Sequence, residues 1–98
     1  MIRHIVLFRF GDDVAEHQRR QLLDELATFP DRFPTMQGWA LGENISQRDD
    51  TFTHGFTVEF ATEKDLRSYL DSDEHERFVR ESWRPIIARR AIVSFDAP

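Results

Sequence analysis

The sequence predicts an α+β protein of the ferredoxin-like type, in which one domain covering residues 1–98 follows the order β-α-β-β-α-β. Segments that alternate apolar and polar residues predict strands, and stretches that repeat apolar residues three and four positions apart predict helices between them. Because β-α-β connections are right-handed, both helical units are expected on one face of a four-stranded antiparallel sheet.

The first strand is predicted at residues 2–10 and is apolar on both faces. Ile5 and Leu7 lie on one face, and the other face carries Ile2, His4, Val6, Phe8 and Phe10. A strand that is apolar on both faces is expected to be covered on both faces.

The first helix is predicted from Val14 to Phe29, after a Gly-Asp-Asp turn that can supply its N-cap. Its apolar stripe consists of Leu22, Leu23, Leu26 and Phe29. Pro30 is expected to end this helix, because proline has no amide hydrogen to continue it. Residues 38–46 and 52–60 then alternate as strands around a polar turn at 47–50, which predicts a hairpin.

The second helical unit is predicted to be broken. Thr62 caps a short helix whose apolar stripe includes Tyr69. The polar segment Asp71-Ser72-Asp73 interrupts that helix and can cap a further one, which carries His75, Phe78, Val79 and Trp83. A final strand is predicted at residues 91–95.

One face of the predicted sheet has no helix to cover it, yet it carries Ile5 and Leu7. A second copy of the chain is the simplest cover for an apolar sheet face. The sequence therefore predicts a homodimer in which two sheets pack face to face as a closed, dimeric α+β barrel.

The composition excludes several classes of function. The net charge is −5, and twelve of the thirteen basic residues are Arg interleaved with acids, so we expect no nucleic-acid partner. The chain has no cysteine, which excludes disulfides and thiolate chemistry. Neither a signal peptide nor a membrane span fits the sequence, and we expect a soluble cytoplasmic protein with no membrane partner.

Three residues are predicted to line one cavity between the sheet and the helices: His54, Tyr69 and His75. His54 shares a strand face with Phe56, Tyr69 lies on the apolar stripe of the short helix, and His75 begins the next helical turn. A histidine can exchange a proton near neutral pH, and a tyrosine can donate a hydrogen bond to a developing enolate oxygen. Such a pair suits enolisation, lactonisation or aldol-type ring closure. The structural alternative is that Tyr69 and His75 only tie together a broken helix.

The walls of this pocket are predicted from the inward-facing residues of the strands and helices, namely His4, Val6, Phe8, Phe56, Phe78 and Trp83. His4 and His54 lie toward opposite ends of adjacent antiparallel strands, so we do not expect them to touch. No pair of histidines has the i, i+4 spacing of a helical zinc site, and we expect no metal and no cofactor.

Taken in order, several segments resemble the stress-responsive α/β-barrel domain family, known as Dabb. They are HIVLFRF at residues 4–10, GENIS at 42–46, THGF at 53–56, the stretch from Tyr69 to Phe78, and IVSFD at 92–96. The resemblance covers nearly the whole chain and implies a small homodimeric ferredoxin-like barrel. It also implies that backbone carbonyls after the first helix, here residues 27–33, can hold a cation in some relatives.

The resemblance implies uneven functions. Most relatives have no assigned activity, and some are associated with stress tolerance. One plant branch is similar to a polyketide cyclase, in which a His and a Tyr at the positions of His75 and Tyr69 act on a poly-β-ketone, and His54 and His4 match other pocket histidines. Where that branch often has His-Pro-Ala-His, this chain has Asp-Ser-Asp-Glu-His at 71–75. This departure predicts an acidic approach to the pocket, which disfavours an anionic substrate.

The function expected from the sequence is binding of a small hydrophobic or polyketide-like ligand in a His/Tyr-lined cavity, with cyclase-like or lyase-like acid–base chemistry as the reaction if the protein is an enzyme. One alternative is a non-catalytic stress-response or assembly protein, which should have a filled core. The other is a monooxygenase of the same dimeric architecture, haem-dependent or cofactor-independent, although no Asn-Trp-His constellation supports it.

Overall fold

The computed structural model describes residues 1–98 and contains one antiparallel sheet of four strands. These are β1 (Ile2–Phe10), β2 (Gln37–Glu43), β3 (His54–Phe60) and β4 (Ile87–Asp96). Their order across the sheet is β2-β3-β1-β4, with β1 at the centre beside β3 and β4. This is the strand order of a ferredoxin-like fold, so the predicted fold class is confirmed.

The helices lie on one side of the sheet. Helix α1 (Glu16–Ala27) is followed by the single turn α2 (Phe29–Arg32), and the second unit consists of α3 (Glu63–Asp71) and α4 (Asp73–Phe78). After α4 the chain continues as one turn of π-helix, Val79–Trp83, in which the Arg84 amide donates to the Val79 carbonyl at 2.8 Å. None of these helices combines the length and the apolar composition that crossing a membrane requires.

The core lies between the helices and the inner face of the sheet. Phe8 on β1, Leu26 on α1 and Phe60 on β3 have no solvent exposure. Strand alternation puts the inner side chains of β1 and β3 on this face, as the sequence predicts. Aromatic rings dominate the packing, with Phe29 lying 4.8 Å from Phe78 between ring centroids.

Helix α1 and the segment after it differ from the expectation. The helix begins at Glu16 rather than Val14, and the Gln18 side chain accepts a hydrogen bond from the Ala15 amide where an Asp cap was expected. Pro30 lies in the first turn of α2, where a missing amide hydrogen costs nothing, so helical structure continues past it. The carbonyls of Thr28, Phe29 and Phe33 accept backbone N–H bonds in and beside this turn.

Two strand boundaries differ from the prediction by three residues or more, and β3 begins at His54 rather than residue 52. Strand β2 ends at Glu43 rather than residue 46, because Asn44 closes the following loop by donating to the carbonyls of Asp49 and Phe52. Strand β4 begins at Ile87, four residues before the predicted start, and includes the charged pair Arg89-Arg90. Strand β4 lies at the edge of the sheet, where charged side chains are common. Its first residues therefore lack the apolar alternation from which a strand is predicted.

The break in the second helical unit is where the sequence predicts it. The Thr62 hydroxyl accepts from the Asp65 amide at 3.1 Å and caps α3. Ser72 both follows α3 and caps α4, because its hydroxyl accepts from the His75 amide at 3.1 Å.

The face of the sheet opposite the helices is apolar and uncovered in the single chain. Leu7 is 38% exposed, and Val93 and Phe95 on β4 are 51% and 45% exposed. Val93 pairs with Ile5 across the sheet, so these residues form one patch rather than scattered positions. We call this surface, made of Ile5, Leu7, Ala91, Val93 and Phe95, the open face.

Truncation of a central aromatic residue tests the core. We expect Phe60→Ala to lower the free energy of unfolding by about 3–5 kcal/mol, because it removes a fully buried ring and leaves a cavity. The control Ile45→Ala, at a side chain that is 92% exposed, should change stability by less than about 0.5 kcal/mol. Urea unfolding at one protein concentration measures both, and equal effects would show that Phe60 does not anchor the core.

Candidate active site

A cavity of about 210 Å³ lies between the sheet and the second helical unit. Nine of its twelve lining residues are hydrophobic. The lining consists of His4, Val6, Phe29, Phe56, Tyr69, Leu70, His75, Phe78, Val79, Trp83, Arg90 and Ile92. Tyr69 and His75 therefore share one cavity, as the sequence predicts, and five of the six predicted wall residues surround them.

The helix break brings Tyr69 and His75 together. The Ser72 hydroxyl donates to the Tyr69 carbonyl at 2.8 Å and accepts from the His75 amide, so a single side chain bonds to the backbone of both residues. The two rings meet edge to face with centroids 4.6 Å apart. The polar segment Asp71-Ser72-Asp73 thus brings the Tyr69 and His75 rings together.

A backbone contact fixes the proton position on His75. Its Nδ1 lies 3.1 Å from the Leu70 carbonyl oxygen, which can only accept a hydrogen bond. Nδ1 therefore carries the hydrogen, and the lone pair of neutral His75 is on Nε2. Nε2 has no protein partner, so it is available as a base.

His4 is the second histidine of the cavity and is only 2% exposed. Its Nδ1 lies 2.7 Å from the Ser94 hydroxyl on β4, and its ring centroid lies 6.2 Å from that of Tyr69. The Tyr69 hydroxyl has no hydrogen-bond partner in the protein. Because every fully buried side-chain N or O atom does have a partner, this hydroxyl must keep some contact with solvent. That hydroxyl is thus open to a molecule in the cavity.

Burial keeps all three groups neutral near pH 7. It lowers the pKa of His4 to about 4, with a further contribution from the nearby His75. Burial also lowers the pKa of His75, although the Leu70 carbonyl and Glu76 oppose this shift. The pKa of Tyr69 is raised by burial, so its hydroxyl remains a donor. The cavity thus combines a free imidazole base with a phenol donor.

The acidic approach predicted from residues 71–75 is absent from the cavity lining. Glu74 instead bonds outward to Arg32, with 2.6 Å between its Oε1 and the guanidinium Nε, and Arg32 also lies 3.5 Å from Glu25. The only charged side chain on the lining is Arg90. The cavity lining therefore has no carboxylate that would repel an anionic substrate.

His54 does not line this cavity, and the prediction that it does is wrong. The strand register places it opposite Phe8, whereas His4 lies opposite Val58 at the other end of the same pairing. Its ring stacks on Phe8 at 5.4 Å, and its Nδ1 lies 2.9 Å from the Thr53 hydroxyl. Burial lowers its pKa. Alternation along a strand fixes the face of a residue but not its position along the strand axis.

His54 lies instead beside a larger, more open groove of about 690 Å³, which also borders Leu7 on the open face. The groove is formed by β2, β3 and the loop between them and carries the carboxylates of Glu43 and Asp49, but its lining includes neither Tyr69 nor His75. We therefore treat the smaller cavity as the candidate active site.

Phe8 is the predicted wall residue that the cavity lacks. It has no solvent exposure and packs behind the wall, with its ring 5.1 Å from Trp83. Sequence reasoning did not assign Phe29, Leu70, Val79, Arg90 and Ile92 to the pocket. Alternation from Ser94 places Ile92 and Arg90 on the inner face, but only Ile92 lies within the predicted strand, so Arg90 could have been found only from the true start of β4. No group of three or more His, Cys, Asp or Glu side chains is arranged to hold a metal ion.

Residues 2–97 match the model of the stress-responsive A/B barrel domain. The chain belongs to the Dabb family. A Dabb protein with a ferredoxin-like fold from Mesorhizobium loti is 23% identical, with a TM-score of 0.87 over 99% of this chain and 96% of that one. No curated protein matches this sequence.

Two further solved structures share the fold of this Dabb domain. A dimeric ferredoxin-like protein of unknown function from Thermobifida fusca is 27% identical, with a TM-score of 0.82 over 98% of this chain and 90% of that one. A hydroxynitrile lyase from Passiflora edulis is 22% identical, with a TM-score of 0.89 over 99% and 93%. Three of the structural neighbours, including the Thermobifida fusca protein, are described as dimeric.

The buried His4 gives a pH test of this geometry. Its pKa is about 4 in the folded protein and 6.5 otherwise, so the unfolded chain binds the proton first. The stabilising contribution of His4 is full above about pH 6.5 and decreases as the pH falls toward 4, by about 2–3 kcal/mol at pH 4.5. We expect His4→Gln to remove this part of the pH dependence.

Urea unfolding of both proteins at about pH 7.5 and about pH 4.5 measures the difference, and it cancels the contributions of the carboxylates that both share. Identical pH dependence in the two proteins would show that His4 titrates normally and is not held neutral by the cavity.

Proposed function

We propose that this Dabb domain binds a small apolar carbonyl compound in the cavity and catalyses proton transfer at the carbon next to the carbonyl group. The observation that supports this proposal most directly is the free Nε2 of His75, beside the Tyr69 ring at 4.6 Å in an apolar cavity. A base and a hydrogen-bond donor within one small cavity are the two groups that enolisation requires.

The proposed step moves one proton. His75 Nε2 takes the α-proton of the ligand, and the electron pair of that C–H bond becomes the carbon–carbon double bond of an enolate. The negative charge then lies on the carbonyl oxygen, which the Tyr69 hydroxyl stabilises by donating a hydrogen bond. Return of the proton from His75, or attack of the enolate on an electrophile, completes isomerisation, cyclisation or its reverse.

The size of the cavity restricts the ligand. A dry cavity of roughly 150 Å³ is large enough for a benzene ring, and the cavity here is about 210 Å³. It therefore suits a single-ring or short-chain compound better than a long polyketide, and it is too small for a haem. This size argues against the haem-dependent monooxygenase alternative.

The assembly-protein alternative predicts a filled core, whereas this core contains a cavity with polar groups turned toward it. The fold also accommodates lyase chemistry, because one structural neighbour is a hydroxynitrile lyase. At 22% identity this neighbour supports the fold and leaves the reaction of this chain to experiment.

We further propose that the homodimer forms through the open face. Leu7, Val93 and Phe95 expose a contiguous apolar surface there, which a second sheet would cover. A specific dimer of this type buries roughly 1,600 Å² in total.

Hydrogen–deuterium exchange tests the catalytic proposal. The wild type should accelerate exchange of the methyl protons of acetophenone in D₂O, measured by NMR. His75→Ala should reduce the rate to that of buffer, because the base is gone, while the melting temperature changes by only a few degrees at this partly exposed site. Tyr69→Phe should lower the rate by about 10²–10³-fold, as loss of an oxyanion donor does.

The matched control is His17→Ala, which removes an exposed histidine on α1 and should leave the rate unchanged. A wild-type rate no faster than that of an equal concentration of free imidazole would refute the catalytic role, and an unchanged rate in His75→Ala would refute the assignment of the base.

A charge on the open face tests the dimer. Leu7→Asp should yield monomers or unfolded chains, because it would bury an unpaired carboxylate against the partner sheet. The control Ser68→Asp, an exposed position on α3, should remain dimeric. Light scattering coupled to size-exclusion chromatography gives the mass of each, and a dimeric, folded Leu7→Asp variant would show that another surface forms the interface.

A further inference from the structure

Arg90 gives the cavity a charge that neither the proposed proton transfer nor the core requires. It pairs with Phe8 across the sheet, so its side chain leaves β4 on the helix side rather than on the open face. It lines the cavity while remaining largely exposed, which places it at the mouth. It forms no ion pair, in contrast to Arg32, which is held by two carboxylates.

The surroundings of Arg90 leave its charge uncompensated. None of the other eleven lining residues is an acid. Of the acidic residues at 71–76, Glu74 pairs with Arg32, and Asp71, Asp73 and Glu76 are exposed. The cavity thus has a mostly apolar lining, a base, a hydrogen-bond donor and a single guanidinium that forms no ion pair.

We propose that the ligand of this cavity is a small keto-carboxylate, whose carboxylate is bound by Arg90 at the mouth while its carbonyl group lies against Tyr69 and His75. This inference rests on the proposed function and specifies the substrate class for the same site. A guanidinium presents two parallel N–H donors that match the two oxygens of a carboxylate. A phosphate would call for further donors, and the lining provides no second cation.

The strand spacing agrees with a compound of one ring. Ser94, which bonds to His4, and Arg90 lie four residues apart on β4, a separation of roughly 13 Å between their backbones at about 3.3 Å per residue. Arg90 and His4 both line the cavity, and the His4 ring centroid lies 6.2 Å from that of Tyr69, so Tyr69 lies toward the Ser94 end of this span. A benzene ring with an acetyl group and a carboxylate at opposite positions has the required shape, and its ring and acetyl group suit the enclosed volume.

Binding of matched probes tests the proposal. The probes are 4-acetylbenzoate and its neutral counterpart 4-acetylbenzamide, whose dissociation constants are measured by calorimetry or by NMR titration with the full-length protein. We expect the wild type to bind the carboxylate about tenfold more tightly, equivalent to about 1.4 kcal/mol. Arg90→Gln should abolish this preference while leaving the affinity for the amide unchanged.

The matched control is Arg89→Gln, which removes the same charge from the adjacent residue on the opposite face of β4 and should keep the tenfold preference. Equal affinity of the wild type for the two probes, or a preference that survives in Arg90→Gln, would overturn the role of Arg90 while the amide still reports an intact cavity. Failure of both probes to bind would overturn this inference together with the proposed ligand class of the cavity.

The exchange reaction separates the two proposals. If Arg90 positions the carboxylate, Arg90→Gln should slow exchange of the acetyl protons of 4-acetylbenzoate at low concentration much more than it slows acetophenone exchange, whereas Arg89→Gln should change neither rate. Equal slowing of both compounds in Arg90→Gln would contradict a role that depends on the carboxylate.

Discussion

The candidate site depends on one side chain, Ser72, at the break between α3 and α4. A continuous helix would carry Tyr69 and His75 six residues apart and on different faces, because 3.6 residues make one turn. The Ser72 hydroxyl instead accepts from the His75 amide and donates to the Tyr69 carbonyl, so the chain turns and the two rings meet. The polar interruption therefore serves as both helix cap and site scaffold.

The chemistry of the cavity follows from burial more than from charge. An apolar lining removes water from His4, His75 and Tyr69, which favours the neutral form of each group. A neutral imidazole is the form that accepts a proton, and a neutral phenol is the form that donates one. The contact of His75 Nδ1 with the Leu70 carbonyl determines which ring nitrogen can act as the base, because it leaves the lone pair on Nε2.

Much of the fold and part of the site could be predicted from local patterns. The alternation of side chains along β1 correctly predicted which residues face the core and which lie on the open face. The apolar stripe on α3 correctly predicted that Tyr69 is buried. The prediction failed at the boundaries of some elements. Helical structure continued past Pro30 because a proline fits the first turn of a new helix. Strand β4 began early because an edge position accepts arginines.

The sequence by itself determined the order of the elements, the faces of the strands and the break that pairs Tyr69 with His75, because each depends on residues close together in the chain. Only the tertiary structure decided which distant residues share the cavity. In the register between β1 and β3, His54 lies away from the site and His4 lies beside it. The pairing of β1 with β4 places Arg90 at the mouth of the cavity. Strand periodicity specifies a face, whereas register is fixed by packing of the whole sheet, so no local pattern contains it.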